Sequence, residues 1–420
     1  MYNYQLITLP NGVRIATEQM AGVRSAALGI WVTTGSREEK ASESGAAHFI
    51  EHMLFKGTKH CTAAQLARRM DAIGGQINAF TTKENTCFHA RCLDSHLHEA
   101  LDILCEMFFE SKFAEEDVQT ERGVILEEIG MYADDPADLV SEKLFAAVFK
   151  GTPLGRPILG KRATLEKMTG AWLKQYKEEH YTADRVVVTL AGSFDDALVE
   201  EIKARFAAMK PGKPRKLKPV AVQDSIVVKR KATEQNHLLL SFPSITDRDP
   251  KKYQMQLLSS ILGGGMSSRL FQQVREKNGL CYSVYTFGTS HEEVGLFSIY
   301  TALNREQEPK ALDCIRGVLQ DFLQNGPEPE ELELVREQSK ANVLMGLEAT
   351  SARMSHLARC ILREGKFLTP DDIIAAYDAV TADQVLALAR ETFDFERLSF
   401  SAVGKVSSED TYRSLLLPEA

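Results

Sequence analysis

Apolar and polar positions along this chain follow two periods, near 2 and near 3.6 residues, and the order in which they alternate occurs twice. In the first half, "AALGIWVTTGSREE" reads as a strand running into a polar turn. The stretch "SGAAHFIEHMLFKGT" follows as a short amphipathic helix closing at Lys56-Gly57, a cation and then a glycine. A second helix, "TAAQLARRMDAIGG", starts at a Thr62 cap and stops at Gly74-Gly75. "QINAFTT" and "NTCFHARCL" alternate as two strands joined by a tight turn. Helices are predicted in "HLHEALDILCEMFFES" and "AEEDVQTERGVILEEIGMYADD", the latter stopped by Pro136.

The second half retraces this order. "NHLLLSFPSITDRD" parallels the first strand and turn, and "KKYQMQLLSSILGGG" the first helix. "SSRLFQQVREKNG" with "LCYSVYTFG" matches "ARRMDAIGG" with "QINAFTT", and "EVGLFSIYTAL" and "EPKALDCIRGVLQDFLQNG" supply the return strand and next helix. Each half closes on a strand ending in glycine, Gly192 and Gly404, 212 residues apart. The expectation is an α+β fold of two homologous α/β-sandwich halves, each a mainly antiparallel sheet packed by helices. Residues 1–208 form the first half, 209–224 a linker and 225–420 the second.

Composition narrows the class of partner. A net charge of -8 gives no electrostatic footprint for nucleic acid. The one basic run, "KPGKPRKLKP" at Lys210–Pro219, is broken by prolines and reads as a solvated linker, with a partner-binding patch as the alternative. The opening stretch "MYNYQLITLPNGVRI" lacks a basic region followed by an apolar one, so it is not expected to be a signal peptide, and no apolar run approaches the roughly 18 residues of a membrane span. The seven cysteines are scattered without a C-x-x-C pair, so they are expected as reduced, mostly buried thiols in a cytoplasmic protein.

The candidate chemistry lies in the first of these helices. At ~100° per residue, His48 and His52 are one turn apart on one face, and Glu51 lies on the same arc. Two imidazoles at i and i+4 beside a carboxylate suit a divalent ion, although histidines at a core margin also occur as satisfied hydrogen-bonding groups. A catalytic zinc site takes three protein ligands, so one must come from elsewhere. On "EEDVQTERGVILEEIGMY", Glu121, Val124, Ile125 and Glu128 form one stripe that puts two carboxylates toward the core. Such groups need a partner. Ligation by Glu128 with support from Glu121 fits, and ion pairing to an arginine is the alternative. By ligand type the metal is zinc, one ion per chain, while two histidines and a carboxylate also suit cobalt or manganese. The matching positions of the second half, in "LLSSILGGG", offer only apolar and small residues. "GGGMSSRLF" lacks the lysine of a phosphate-binding loop, so no nucleotide site is expected there.

"HFIEHMLFKGT" together with "ERGVILEEIGMYADDP" resembles the inverted-motif zinc metallopeptidases of the pitrilysin and insulin-degrading enzyme family. Within that family the chain looks most like the mitochondrial processing peptidase β-subunit and its bacterial relatives. The resemblance implies zinc ligands at His48, His52 and Glu128, a general base at Glu51 acting on the metal's water, and a supporting acid at Glu121. It implies that "GGQINAFTTKENT" is an edge strand accepting extended peptide, with Asn78 and Ala79 on the substrate backbone. It also implies that Arg275 and Tyr282 of "QVREKNGLCYS" reach the substrate and the developing oxyanion. The activity so implied is a zinc metalloendopeptidase cutting peptides or presequence-like segments in an enclosed chamber, as a homodimer or a heteromer with a similar chain. The alternative from another class is a non-catalytic relative serving as a peptide-binding or structural subunit.

Overall fold

A computed structural model describes residues 3–213, 215, 217 and 219–417. Pro214, Lys216 and Lys218 of the basic run lie outside the described residues. Eleven strands among the described residues form two sheets with one shared topology. The first sheet contains β1 (Asn3–Thr8), β2 (Arg14–Gln19), β3 (Ser25–Val32), β4 (Gln76–Thr81), β5 (Thr86–Leu93) and β6 (Val186–Gly192) in the order β1-β2-β6-β3-β5-β4. The second contains β7 (Ile226–Arg230), β8 (Asn236–Ser244), β9 (Ser283–Ser290), β10 (Gly295–Leu303) and β11 (Ser399–Gly404) in the order β7-β11-β8-β10-β9. Only β2–β6 and β7–β11 pair in parallel, so both sheets are mainly antiparallel. Removing β1 from the first order leaves the second order. The β1–β2 hairpin has no counterpart among the strands read from sequence, because β1 is mostly exposed and carries little apolar signal.

Gly192 and Gly404 show the repeat at atomic level. Their φ angles are 129° and 136°, values open to glycine. A Cβ at Gly192 would lie 2.3 Å from the Ser25 carbonyl oxygen, and one at Gly404 would lie 2.3 Å from Asn236 Oδ1. Each glycine thus lets the closing strand end against the start of the strand beside it.

In the first unit the helices α1 (Ala46–Leu54), α2 (Ala63–Ala72) and α3 (Leu97–Glu110) cover one face of the sheet. Thr62 and Gln65 form a reciprocal capping box at the start of α2, as the sequence pattern requires. Phe49 and Ile50 of α1 and Leu104 and Phe108 of α3 pack with Ile30, Phe88 and Val188 of the strands. The other face, with Ala27, Trp31, Cys87 and Val187, is covered by Met354, Leu357 and Ala358 of the helix Thr350–Arg359. A long helix α4 (Glu115–Asp134) precedes α5 (Pro136–Val148), where Pro136 occupies the first turn after an Asp135 cap. In the second unit, Leu240, Phe297 and Phe400 pack with Leu258, Ile315 and Phe322, and α5 covers the opposite face through Leu144 and Val148.

The two units therefore do not coincide with the contiguous halves 1–208 and 225–420. Unit one comprises residues 1–129, 156–218 and 344–369, and unit two comprises 130–155, 219–343 and 370–420. The physical cause is that β3 and β6, like β10 and β11, are buried on both faces. Each sheet needs a second apolar cover, and each half supplies the helix that covers the other's sheet. All seven cysteines are unbridged thiols. Among the described residues, no helix is long and apolar enough to cross a membrane.

Candidate active site

Helix α1 starts at Gly45, whose φ of 100° turns the chain sharply into the first turn. Its apolar face, with Phe49, Ile50, Met53 and Leu54, is buried, which leaves His48, Glu51 and His52 at the margin of the core. On α4 the buried positions are Val118, Glu121 and Ile125. Val124, expected within the buried stripe, is instead 47% exposed, and the Glu128 side chain lies at the boundary, 25% exposed. The buried arc of α4 is narrower than the sequence pattern indicates, so Glu128 is a boundary carboxylate and Glu121 the buried one.

The two helices bring three donors together. His48 Nε2 and His52 Nε2 lie 3.6 and 3.7 Å from Glu128 Oε2, and the three donor atoms are all within 4.8 Å of one another. Those separations exceed a hydrogen bond, which spans about 2.7–3.2 Å for N–H···O. They approach the ~3.4 Å edge of a tetrahedron whose metal–ligand bonds are about 2.0–2.1 Å long. Two imidazole nitrogens and one carboxylate oxygen would suit zinc in donor type and number, and the two distances to Glu128 suit it in separation.

The surroundings prepare these groups for a cation. Burial, helped by neighbouring His52, pushes the His48 pKa down to about 4 and keeps its ring neutral. Burial raises the Glu128 carboxyl and His52 opposes that rise. Glu121, 3% exposed, sits beneath His52 with Oε2 3.0 Å from Nδ1. This bond makes Nδ1 the protonated nitrogen and turns the Nε2 lone pair toward Glu128 and His48. The other Glu121 oxygen pairs with Lys56 Nζ at 2.6 Å. The alternative of an ion pair for Glu121 is thus met by a lysine, at the same time as the bond to His52. His48 has no such support, since its Nδ1 is buried without a hydrogen-bond partner among the described residues.

Glu51 stands on the same helix without joining the three donors. Burial raises its carboxyl pKa, and the Thr81 hydroxyl and His52 pull it back. Thr81 Oγ1 donates to Glu51 Oε2, joining the end of β4 to α1. Thr81 and Lys56 are the two contributors that sequence reasoning missed. Period-2 alternation offered a signal for Thr81, because it shares a face with Ile77 and Ala79, which pack toward the α1 side of the sheet. Lys56 read only as the cation that ends a helix.

β4 pairs with β5 alone among the described strands, so its other edge is free. Asn78 is exposed on it and its Oδ1 accepts from the Ala79 N–H at 2.8 Å. Arg275 and Tyr282 belong to the second unit. There the Arg275 guanidinium lies 4.8 Å from the Tyr282 ring centroid and 4.6 Å from that of Phe271. Tyr282 is 73% exposed. The structure thus gathers His48, His52, Glu128, Glu121 and Glu51 in unit one, and pairs Arg275 with Tyr282 in unit two.

The zinc protease YmxG of Bacillus subtilis, itself described as uncharacterized, is 40% identical over 96% of this chain and 99% of its own length. A zinc protease of Streptomyces coelicolor, also described as uncharacterized, is 38% identical over 97% of this chain and 90% of its own. The crystal structure of a peptidase M16 inactive domain from Pseudomonas fluorescens superposes with a TM-score of 0.90 at 22% identity, covering 97% of this chain and 99% of that one. A protease from Helicobacter pylori gives 0.88 at 20% identity over 96% and 100%. The pattern of the insulinase family, peptidase family M16, matches residues 14–162, and that of the M16 inactive domain matches residues 167–339. The first match spans the three donor residues of α1 and α4, the second runs from the end of the first half into the second, and with relatives 40% and 38% identical along nearly the whole chain they show that this chain belongs to the insulinase (M16) peptidase family.

Proposed function

We propose that the chain is a zinc metalloendopeptidase that hydrolyses extended peptides or presequence-like segments within an enclosed chamber. The observation that carries this reading is the convergence of His48 Nε2, His52 Nε2 and Glu128 Oε2 within 4.8 Å of one another, with Glu51 on the same helix as the two histidines. The names of the relatives, zinc proteases, support it. A bound zinc ion supplies a Lewis acid that lowers the pKa of water toward ~7.

The protein's own groups do the rest. An extended peptide adds to the free edge of β4, where main-chain hydrogen bonds hold it in register regardless of sequence. Asn78 and Ala79 lie along that edge. Glu51, oriented by Thr81, takes the proton of the attacking water and passes it to the leaving amine. Arg275 and Tyr282 donate to the carbonyl oxygen as its negative charge grows. Glu121 keeps His52 in the tautomer that presents Nε2. The unbridged thiols support a reducing, cytoplasmic setting. A further part of the reading, that two similar chains share a chamber, is tested by sedimentation of the purified protein.

Glu51→Gln is the decisive variant. It should keep one zinc per chain while cleaving a peptide about 10²–10⁴-fold more slowly, the usual contribution of a general base. A variant that retains zinc and cleaves at the wild-type rate refutes the assignment of the base. A wild-type chain that binds no zinc refutes the whole reading, and a wild-type chain that binds zinc but cleaves nothing favours the non-catalytic subunit.

A further inference from the structure

Glu39 is buried to 2% exposure, is no part of the donor set, and has no role in the chemistry above. It lies six residues before Gly45, in the segment that links β3 to α1. Its Oε2 accepts from the Gly45 N–H at 2.8 Å and its Oε1 from the Ala47 N–H at 2.9 Å. Helix α1 has no cap of its own, because Gly45 carries no side chain, so Glu39 satisfies free N–H groups at its start. The seat is tight. A Cβ at Gly160 would lie 2.4 Å from the Ser44 carbonyl oxygen, which also accepts from Thr164 Oγ1 at 2.7 Å.

The same short segment is bound to the turn that ends β4. Ser36 N–H donates to Thr82 O at 3.2 Å and Arg37 N–H to Lys83 O at 2.7 Å. Arg37 also forms a buried ion pair with Glu84, and Lys83 Nζ donates to the carbonyl of Arg156, whose guanidinium donates to the Glu39 carbonyl. A Cβ at Gly35 would lie 2.3 Å from Thr82 O, so the two segments touch backbone to backbone. At its last residue β4 also reaches α1, through Thr81 and Glu51. A closed circuit results, from β4 through its turn to residues 36–39, into the N-terminus of α1, along α1 to Glu51, and back to β4.

We propose that Glu39 is a positioning residue that clamps the N-terminus of the metal helix to the turn of the peptide-accepting strand, so that strand and donor set are held in one fixed geometry. His48 is the residue after Ala47, so play at the Ala47 N–H passes directly to the first imidazole. His48 lacks a hydrogen bond at Nδ1, and the helix backbone is therefore its principal restraint. The consequence for cleavage rests on the peptidase reading above; the clamp itself does not.

Glu39→Gln tests it, with Asp195→Ala as the matched control. Asp195 caps another helix of the same unit by accepting from the Leu198 N–H at 2.9 Å, so both variants lose one capping interaction. In metal-free protein, amide exchange at Gly45 and Ala47 should accelerate about tenfold in E39Q and stay unchanged in D195A. In zinc titrations E39Q should bind about tenfold more weakly, and at saturating zinc its kcat should fall about tenfold with KM within twofold. D195A should keep both values, and Glu39→Asp should recover part of each. Unchanged exchange in E39Q overturns the clamp. Wild-type zinc affinity and kcat in E39Q, or equal losses in D195A, overturn the positioning role. If the wild-type chain cleaves nothing, exchange and zinc affinity still decide the role of Glu39, while the peptidase reading fails on its own.

Discussion

Replacing Glu121 by alanine removes the group that orients His52 without touching any of the three proposed zinc ligands. In the intact protein the Glu121 carboxylate accepts the His52 Nδ1–H at 3.0 Å and pairs with Lys56 Nζ at 2.6 Å, at a position 3% exposed. A hydrogen bond to a charged group contributes about 1.5–3 kcal/mol. At 1.4 kcal/mol per factor of ten, its loss should raise the zinc dissociation constant about 10–100-fold, the range typical when an outer partner of a ligating histidine is removed. Competition with a chromophoric chelator reads this directly, and circular dichroism confirms that the helices remain. Lys56→Met separates the two partners of Glu121. It leaves the whole carboxylate charge to His52, so zinc affinity should hold or tighten. Zinc binding within twofold of wild type in Glu121→Ala refutes the orienting role. Equal weakening in Lys56→Met shows that removing either charge merely disturbs the packing.

Thr81→Val removes the only hydroxyl bonded to Glu51 among the described residues; kcat should fall about tenfold with zinc content unchanged, and Thr81→Ser should restore it. A serine variant as slow as the valine one would show that the strand's shape, not the hydroxyl, matters. Lys177 gives a pH-dependent test of stability. Burial brings its ammonium from the ordinary 10.5 down to about 8, against the Phe108 and Tyr181 rings. A lysine whose folded pKa is depressed costs stability while charged. The cost is full below pH 8 and fades as pH rises toward 10.5. Lys177→Met should therefore be more stable than wild type at pH 7 by an amount on the order of 3 kcal/mol, less what the Phe108 carbonyl bond returns. That advantage should shrink by pH 10 in denaturant titrations, and a difference independent of pH would exclude burial of the charge as its cause.

Most of the half that carries the candidate site was legible because its signals are local. The pair His48 and His52 at i and i+4, the Glu121 and Glu128 seven-residue interval, and the helix cap at Thr62 each depend on helix geometry alone. The repeat was legible because two sheets of one topology impose one sequence of periods. Thr81 and Glu39 were not, since a hydroxyl on a strand and an acid in a polar loop look the same whether they meet solvent or a helix. Val124 was misplaced because the 3.6-residue stripe fixes direction around α4 but not how wide an arc its neighbours cover.

By itself, then, the amino-acid order determined which residues share a helix face, which strands alternate, and that one half carries ionisable groups where the other carries apolar ones. Tertiary structure decided everything that depends on which surfaces meet. It brought Glu128 to 3.6 and 3.7 Å from two imidazoles 80 and 76 positions earlier, and gave Glu121 both a histidine and a lysine. It also sent α5 and the helix Thr350–Arg359 to cover sheets outside their own halves. The reason is that a sheet buried on both faces needs two apolar covers, and periodicity marks a helix as a cover without naming the sheet it will meet.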